Sequence, residues 1–216
     1  MQVEITNIQQ KLDSVPYLTR KNLELILGNN RRTVDDRIKS LIKSGVILKL
    51  KNGFYISTNY QKQERDPQKY LEYLANILYQ PSYISLEYAL SFYGLIPESV
   101  YGITAVSPNK TKIFKNNLNI FSYKKIKNEL FFGFTEIPSK TGLTSFATKS
   151  KCLFDFLLLK KGLTDKNLEQ YLKYDSRINW EVLKTKDKKE FRDYIKKSNS
   201  LKMRRLQKDL IKFKLI

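Results

Sequence analysis

The chain has 216 residues, enough for one large domain or two small ones, and its 41% hydrophobic and 12% aromatic content can build a core. A formal charge of +19 points to an acidic partner, nucleic acid being the commonest, or to a lysine-rich solvated surface. Having no histidine excludes His-based acid–base chemistry and Cys/His zinc sites, and a single cysteine, Cys152, excludes an internal disulfide and fits a reducing compartment.

Residues 1–13 (MQVEITNIQQKLD) lack the apolar stretch of a signal peptide, and Val3, Ile5, Ile8 and Leu12 predict a first helix, punctuated by Pro16. The richest apolar run, Cys152 to Leu159, is far shorter than a membrane span and contains Asp155, so a soluble cytoplasmic protein with no membrane partner is expected. A second helix is expected over Leu18–Leu27, with Thr19 as a capping residue and Leu23, Leu25, Ile26 and Leu27 facing inward, broken at Gly28-Asn29-Asn30.

The next helix carries an apolar stripe, Val34, Ile38, Leu41 and Ile42, that buries one side. Gly45 ends it. Two strand-like runs, Val46–Leu50 and Phe54–Ser57, follow around Lys51-Asn52-Gly53, and Asn-Gly is the strongest short hairpin signal. Helix, turn, helix and hairpin in that order predict a winged helix-turn-helix that binds double-stranded DNA.

Within that module Asn30 is the expected N-cap, and Arg31, Arg32 and Thr33 form the turn that enters the major groove. Arg32, Asp36, Lys39, Ser40 and Lys43 lie opposite the apolar stripe. Arg32 is the candidate for a bidentate guanine contact, with Asp36 holding its guanidinium or forming a surface ion pair without a part in readout. Arg37 and Lys39 are read as phosphate contacts, and Lys49, Lys51 and Asn52 as wing contacts to backbone or minor groove. Tyr55 fits core and contact equally.

Residues 59–69 (NYQKQERDPQK) are polar and contain a proline, dividing the chain into a DNA-binding domain over 1–60, a linker over 61–69 and a larger domain over 70–216. The latter opens with a helix carrying Tyr70, Leu71, Leu74, Ile77 and Leu78. A second helix carrying Leu86, Tyr88, Ala89, Leu90 and Phe92 stops at Gly94 and Pro97. Strands are expected at Ile103–Val106, at Lys110–Lys115 and Leu118–Lys124 around an Asn116-Asn117 turn, and at Leu130–Ile137. Thr144 to Lys161 begins as strand and becomes an apolar helix. Helices are expected at Asp165–Lys173, around Trp180–Leu183, and at Lys188–Lys197 and Leu201–Phe213. The fold class is therefore α+β, with a small mixed or mostly antiparallel sheet and flanking helices.

Three stretches together resemble a known family: the opening module, PSYISLEYALSFYGLIPESVYGITAVSP (Pro81–Pro108) and FATKSKCLFDFL (Phe146–Leu157). In that order they resemble the AbiEi-type antitoxins, the regulator half of type IV abortive-infection toxin–antitoxin pairs. Ser85, Ala89, Tyr93, Gly94 and Leu95 match the family's central pattern. Its later pattern, Ala-Thr-Pro-Glu-Lys-Ala-Leu-x-Asp, is matched by Ala147, Thr148, Lys151, Leu153 and Asp155, whereas Lys149, Ser150 and Cys152 depart from it. The resemblance implies a protein that binds inverted repeats in its own promoter, represses the operon and counters a nucleotidyltransferase-like toxin, with or without a stable complex. No cofactor, metal or catalytic residue is implied. Repressors of inverted repeats bind as pairs, yet no dimer seam is visible, which leaves open monomers that meet on DNA.

Candidate residues of the second domain are Lys149, Lys151 and Asp155, with Arg204 and Arg205 in the basic tail. Lys151 and Asp155 are four apart on one helix, and they read either as a structural pair or as part of an electropositive surface. Cys152 stands among leucines and reads as a small buried residue. Competing functions are a winged-helix regulator that senses a ligand or protein, and a metal-dependent nuclease. The nuclease pattern Pro-Asp…Asp/Glu-x-Lys is missing (Asp66-Pro67 has the order reversed), and no Gly-rich phosphate loop is present.

Overall fold

A computed structural model describes residues 2–28, 30–163 and 167–216, with side chains from residue 7 onward. The side chains of Val3 and Ile5 of the expected first-helix stripe, and Asn29 of the expected break and Asp165 of the expected tail helix, lie outside what is described.

The N-terminal unit runs α1 (Gln2–Asp13), β1 (Leu18–Thr19), α2 (Arg20–Leu27), α3 (Arg31–Lys43), β2 (Ile47–Lys51) and β3 (Phe54–Ser57). Its three strands form an antiparallel sheet in the order β1-β3-β2. Leu12, Leu18, Leu23, Leu27, Val34, Ile38, Ile47 and Tyr55 make one buried cluster, which assigns Tyr55 to the core. The expected start of the second helix at Leu18 is corrected: Leu18 pairs with Tyr55 in the sheet, and the helix begins at Arg20. Thr19 closes a capping box with Asn22, so the backbone there is extended, satisfying the first orphan amides of α2. Leu25 is 74% exposed and Ile42 36% exposed, so neither belongs to the buried stripe expected of it.

The expected linker is mostly helical. Ser57 Oγ accepts the N–H groups of Asn59 and Tyr60 to start α4 (Thr58–Gln63), and Asp66 caps α5 (Pro67–Leu78), whose first residue is the proline. Pro at N1 loses no hydrogen bond, because that amide is an orphan anyway.

The larger unit is built on a six-stranded sheet, ordered β6-β7-β5-β4-β9-β8. Its strands are β4 (Tyr83–Ile84), β5 (Ile103–Ser107), β6 (Lys112–Lys115), β7 (Ile120–Lys125), β8 (Phe134–Pro138) and β9 (Leu143–Ala147). The β4/β9 and β5/β7 pairs are parallel and the other three antiparallel, so the sheet is mixed and the molecule α+β. The expected strand from Leu130 starts only at Phe134, because Asn128–Leu130 is a 3-10 turn and Gly133 takes φ +76°.

Register fixes the layers. Val106 lies opposite both Tyr83 and Lys124, so Tyr83 and Tyr123 point to opposite faces. Tyr123 donates to the Ala75 carbonyl of α5, whereas Tyr83 donates to Asp155 of α7 (Lys149–Leu159). Helix α5 therefore lies on one face and α7 on the other. Between β4 and β5 lies α6 (Leu86–Phe92), which packs beside α7. The tail holds α8 (Leu168–Gln170), a π-turn at Tyr171–Asp175, a 3-10 turn at Trp180–Val182, α9 (Thr185–Ser198) and α10 (Leu201–Lys212). No helix among the described residues is long and apolar enough to cross a membrane.

The β2–β3 hairpin is the wall between the two cores. Ile47 and Tyr55 belong to the N-terminal cluster, while Leu50 and Ile56 belong to the larger one. Tyr17 stacks on Phe54 with ring centres 6.0 Å apart, and Tyr70 of α5 donates to the Pro16 carbonyl at 2.5 Å.

Candidate nucleic-acid interface

Burying Val34 and Ile38 turns the other side of α3 outward, and Arg31, Arg32, Thr33, Asp36, Arg37, Lys39, Ser40 and Lys43 are all exposed. Asn30 Oδ1 accepts the Thr33 N–H at 3.2 Å and fixes the first turn. No acidic residue lies in that turn. Arg31 and Arg32 thus stand at the positive end of their own helix dipole, an arrangement that costs on the order of 0.3–1 kcal/mol per charge. Neither makes a hydrogen bond or ion pair among the described residues. An anion placed there would meet two guanidinium groups and a helix N-terminus together.

One expected pairing is corrected, and Arg37 gains a bond within the fold. Asp36 does not hold Arg32: it pairs with Lys39 at 3.3 Å, one turn along, where both groups are largely exposed. Arg37, though exposed, also serves the fold: its Nη1 donates at 2.5 Å to the carbonyl of Leu27, the last residue of α2. That bond satisfies a C-terminal carbonyl the helix cannot pair itself. The angle between α2 and α3 is also set by Arg20, a residue with no assigned part in the sequence reading. Its Nε lies 2.8 Å from Glu24 and its Nη1 hydrogen-bonds Asp35. The hydrogen bond from Arg20 holds the Asp35 carboxyl below its usual value.

On the hairpin, Lys49 and Asn52 are exposed, and Gly53 supplies the positive φ of the turn. Lys51 does not project from the tip. The register shifts between Lys49 and Lys51, so Lys49 faces with Tyr55 while Lys51 stands opposite Phe54. The bulge re-aims the side chain toward the larger unit, where Nζ donates to the Leu78 carbonyl at 2.6 Å and lies 4.2 Å from the Phe54 ring centre. Burial lowers its pKa.

Beside the hairpin runs an open groove of about 800 Å³ between β2 and β6, with the end of α3 at Ile42 along one side. Lys49, Asn52, Lys112, Lys115 and Asn117 are among the residues that line it. The sequence reading took these β6 residues only as strand and turn. A signal was nonetheless available, because the stretch between Glu98 and Glu129 holds six lysines and no acidic residue.

The second-domain candidates sit elsewhere. Lys151 and Asp155 are 0% exposed and joined at 2.5 Å, which excludes the reading of Lys151 as surface charge. Asp155 Oδ2 also accepts from Tyr83 Oη at 2.9 Å and Ser85 Oγ at 2.8 Å. Lys151 Nζ lies 4.8 Å from the Phe154 ring centre and 4.9 Å from that of Phe132. Burial pushes the Asp155 carboxyl up and the Lys151 ammonium down, the pair itself opposing both shifts. Cys152 is fully buried and its thiol is pushed well up by burial, which leaves no reactive thiolate. Lys149 is half-buried, 3.7 Å from Asp187 and bonded to the Val182 carbonyl. Arg204 donates to Asn199 and Arg205 lies exposed on α10.

No family model and no curated protein matches this chain.

Proposed function

We propose that the N-terminal unit is a winged helix-turn-helix that reads double-stranded DNA, with α3 in the major groove and the β2–β3 hairpin as the wing. The observation that carries this reading is the Arg31–Arg32 pair: two exposed cations on the first turn of α3, at the unfavourable end of its dipole, with no hydrogen bond or ion pair among the described residues. Such a conflict between local electrostatics and placement is expected where a ligand completes the site. Arg32 contacts a base edge, Arg31, Lys39 and Lys43 contact phosphates or bases nearby, and Lys49 and Asn52 contact the backbone beside the wing. Selection of bound sequences from a random duplex pool tests this: a recurring motif lost with Arg32→Ala supports it, and recovery of no motif counts against it.

The wider function we assign is that of a non-enzymatic, cytoplasmic antitoxin and autorepressor of the AbiEi type, acting at inverted repeats in its promoter and against a nucleotidyltransferase-like toxin. Supporting it, the two stretches that carry the resemblance meet in space, through Ser85 with Asp155 and through Tyr93 Oη, which donates to the Ala147 carbonyl at 2.8 Å. The test is genetic. The neighbouring gene is expected to encode a nucleotidyltransferase-like protein that stops growth alone and not beside this chain; growth arrest without rescue would leave a plain DNA-binding regulator.

A further inference from the structure

Among the described residues three buried side-chain polar atoms have no hydrogen-bond partner, and two of them, Asn76 Nδ2 and Ser82 Oγ, belong to residues that line one cavity. The cavity measures about 510 Å³ and lies where the end of α5 and the approach to β4 meet the β8–β9 edge of the six-stranded sheet. Asn76 and Ser82 are each 7% exposed. A buried polar group without a partner is costly, and a pair of them at one cavity wall is expected where a ligand supplies the missing bonds.

The orientation of Asn76 is fixed by the sheet. β4 is two residues long and meets β9 at Ile84 opposite Phe146, and the N–H of the preceding residue, Ser145, goes to Asn76 Oδ1. A backbone amide can only donate, so the Asn76 oxygen is engaged and its amide nitrogen is left to donate. Glu136 stands opposite Ser145 in the β8–β9 ladder, so both side chains leave the same face, and its carboxylate adds an acceptor to the cavity lining. Phe131 and Phe134 supply apolar wall. Their ring centres are 5.1 Å apart, and both pack on Tyr83, which is itself held by Asp155. No lysine or arginine is among the lining residues, in a chain that has 40 of them.

We infer that this cavity binds an uncharged planar ring carrying a carbonyl beside an N–H, the lactam edge found in nucleobases such as uracil and hypoxanthine. Asn76 Nδ2 donates to the carbonyl, Glu136 accepts from the ring N–H, Ser82 Oγ supplies a further hydrogen bond, and the ring lies against Phe131 and Phe134. With no cation in the lining a phosphate gains nothing there, so the ligand is the small molecule and not a nucleic-acid backbone. An apolar lining with a few placed polar groups, at this volume, is what small-molecule sites have in common. The inference does not depend on DNA reading by α3.

The test titrates uridine, inosine and adenosine into the isotope-labelled full chain, following the Asn76 side-chain amide and the Ser145 backbone amide by NMR. Uridine or inosine is expected to move both signals saturably. Adenosine, whose base has no carbonyl, should bind at least about tenfold more weakly, because the site's donor is then left unpaired. Ser82→Ala and Glu136→Ala should each weaken binding about fivefold or more. Neither should lower the melting temperature, since one removes an atom with no partner in the fold and the other an exposed side chain. The absence of a saturable shift with both uridine and inosine overturns the inference and leaves the two polar atoms to bound water. Adenosine binding as tightly as the lactam nucleosides, or affinity unaltered in either variant, overturns it as well.

Discussion

Two pairs of charged residues, Arg31–Arg32 on α3 and Lys151–Asp155 on α7, have opposite surroundings. The arginines are exposed and make no bond within the described residues, so water solvates them and leaves their donors free for an incoming ligand. The lysine and aspartate are 0% exposed, and every strong contact they make is internal: with each other, with Tyr83 and Ser85, and with aromatic faces. An exposed charge is stable without a partner, whereas a buried one must be satisfied where it stands. The first pair is thereby available for binding and the second is committed to holding α7 against the sheet and the start of α6.

The largest expected effect breaks the buried pair. Asp155→Ala leaves an uncompensated ammonium and two orphaned hydroxyls, and it should destabilise the fold by about 3–5 kcal/mol in denaturant titration. Replacing both partners, Lys151→Met with Asp155→Leu, should restore much of that loss. A cost under about 1 kcal/mol for Asp155→Ala would mean that the pair is not the anchor described. On the exposed side, Arg32→Ala should weaken operator binding by roughly 1–3 kcal/mol and relax one base position. Its stability should stay within about 0.5 kcal/mol of wild type; a uniform loss over all sequences would make Arg32 a phosphate contact instead. Arg37→Ala belongs with the structural set despite its place on α3. It should cost about 1 kcal/mol of stability through the lost bond to Leu27, and a variant as stable as wild type but weakened on DNA would return Arg37 to the interface. Smallest is Asp36→Asn, which removes an exposed pair with Lys39 and should change stability by only a few tenths of a kcal/mol. Any large loss there would reveal a partner beyond Lys39.

A pH titration sharpens the same contrast. The Asp35 carboxyl has a lowered folded pKa, so its tie to Arg20 contributes above the usual value of 3.8 and is lost as pH falls through the lowered one. Acid unfolding of Asp35→Asn should lack that component. If wild type and variant lose stability in parallel below 3.8, the tie does not set the angle between α2 and α3.

Where the sequence pattern was regular it could be read. The stripe on α3, the Asn-Gly turn, the helices at 67–78 and 201–212 and the strand at 103–107 all have a period or a punctuating residue that local physics enforces. What escaped has no local signature. A two-residue strand such as Leu18–Thr19 shows no alternation and exists only because β3 is beside it. The polar stretch at 59–69 looks unstructured until Ser57 and Asp66 are seen to cap helices. The parallel pairings of β4 with β9 and of β5 with β7 join residues far apart in the chain. On the candidate interface, alternation alone places Lys49 and Lys51 on one face, and the bulge between them sends them to different ones.

By itself, then, the sequence determined the α+β character, the outward-facing arginines of α3 and the chemistry ruled out by having no histidine. These follow from composition and from periodicities shorter than two helical turns. Tertiary structure alone decided which charges are free. It buried Lys151 against Asp155, drew Arg37 to Leu27 and Lys51 to Leu78, and brought Lys49, Lys112 and Lys115 to the lining of one groove. Each outcome depends on a partner distant in the chain, and whether a charge is spent or available is a property of its neighbours in space.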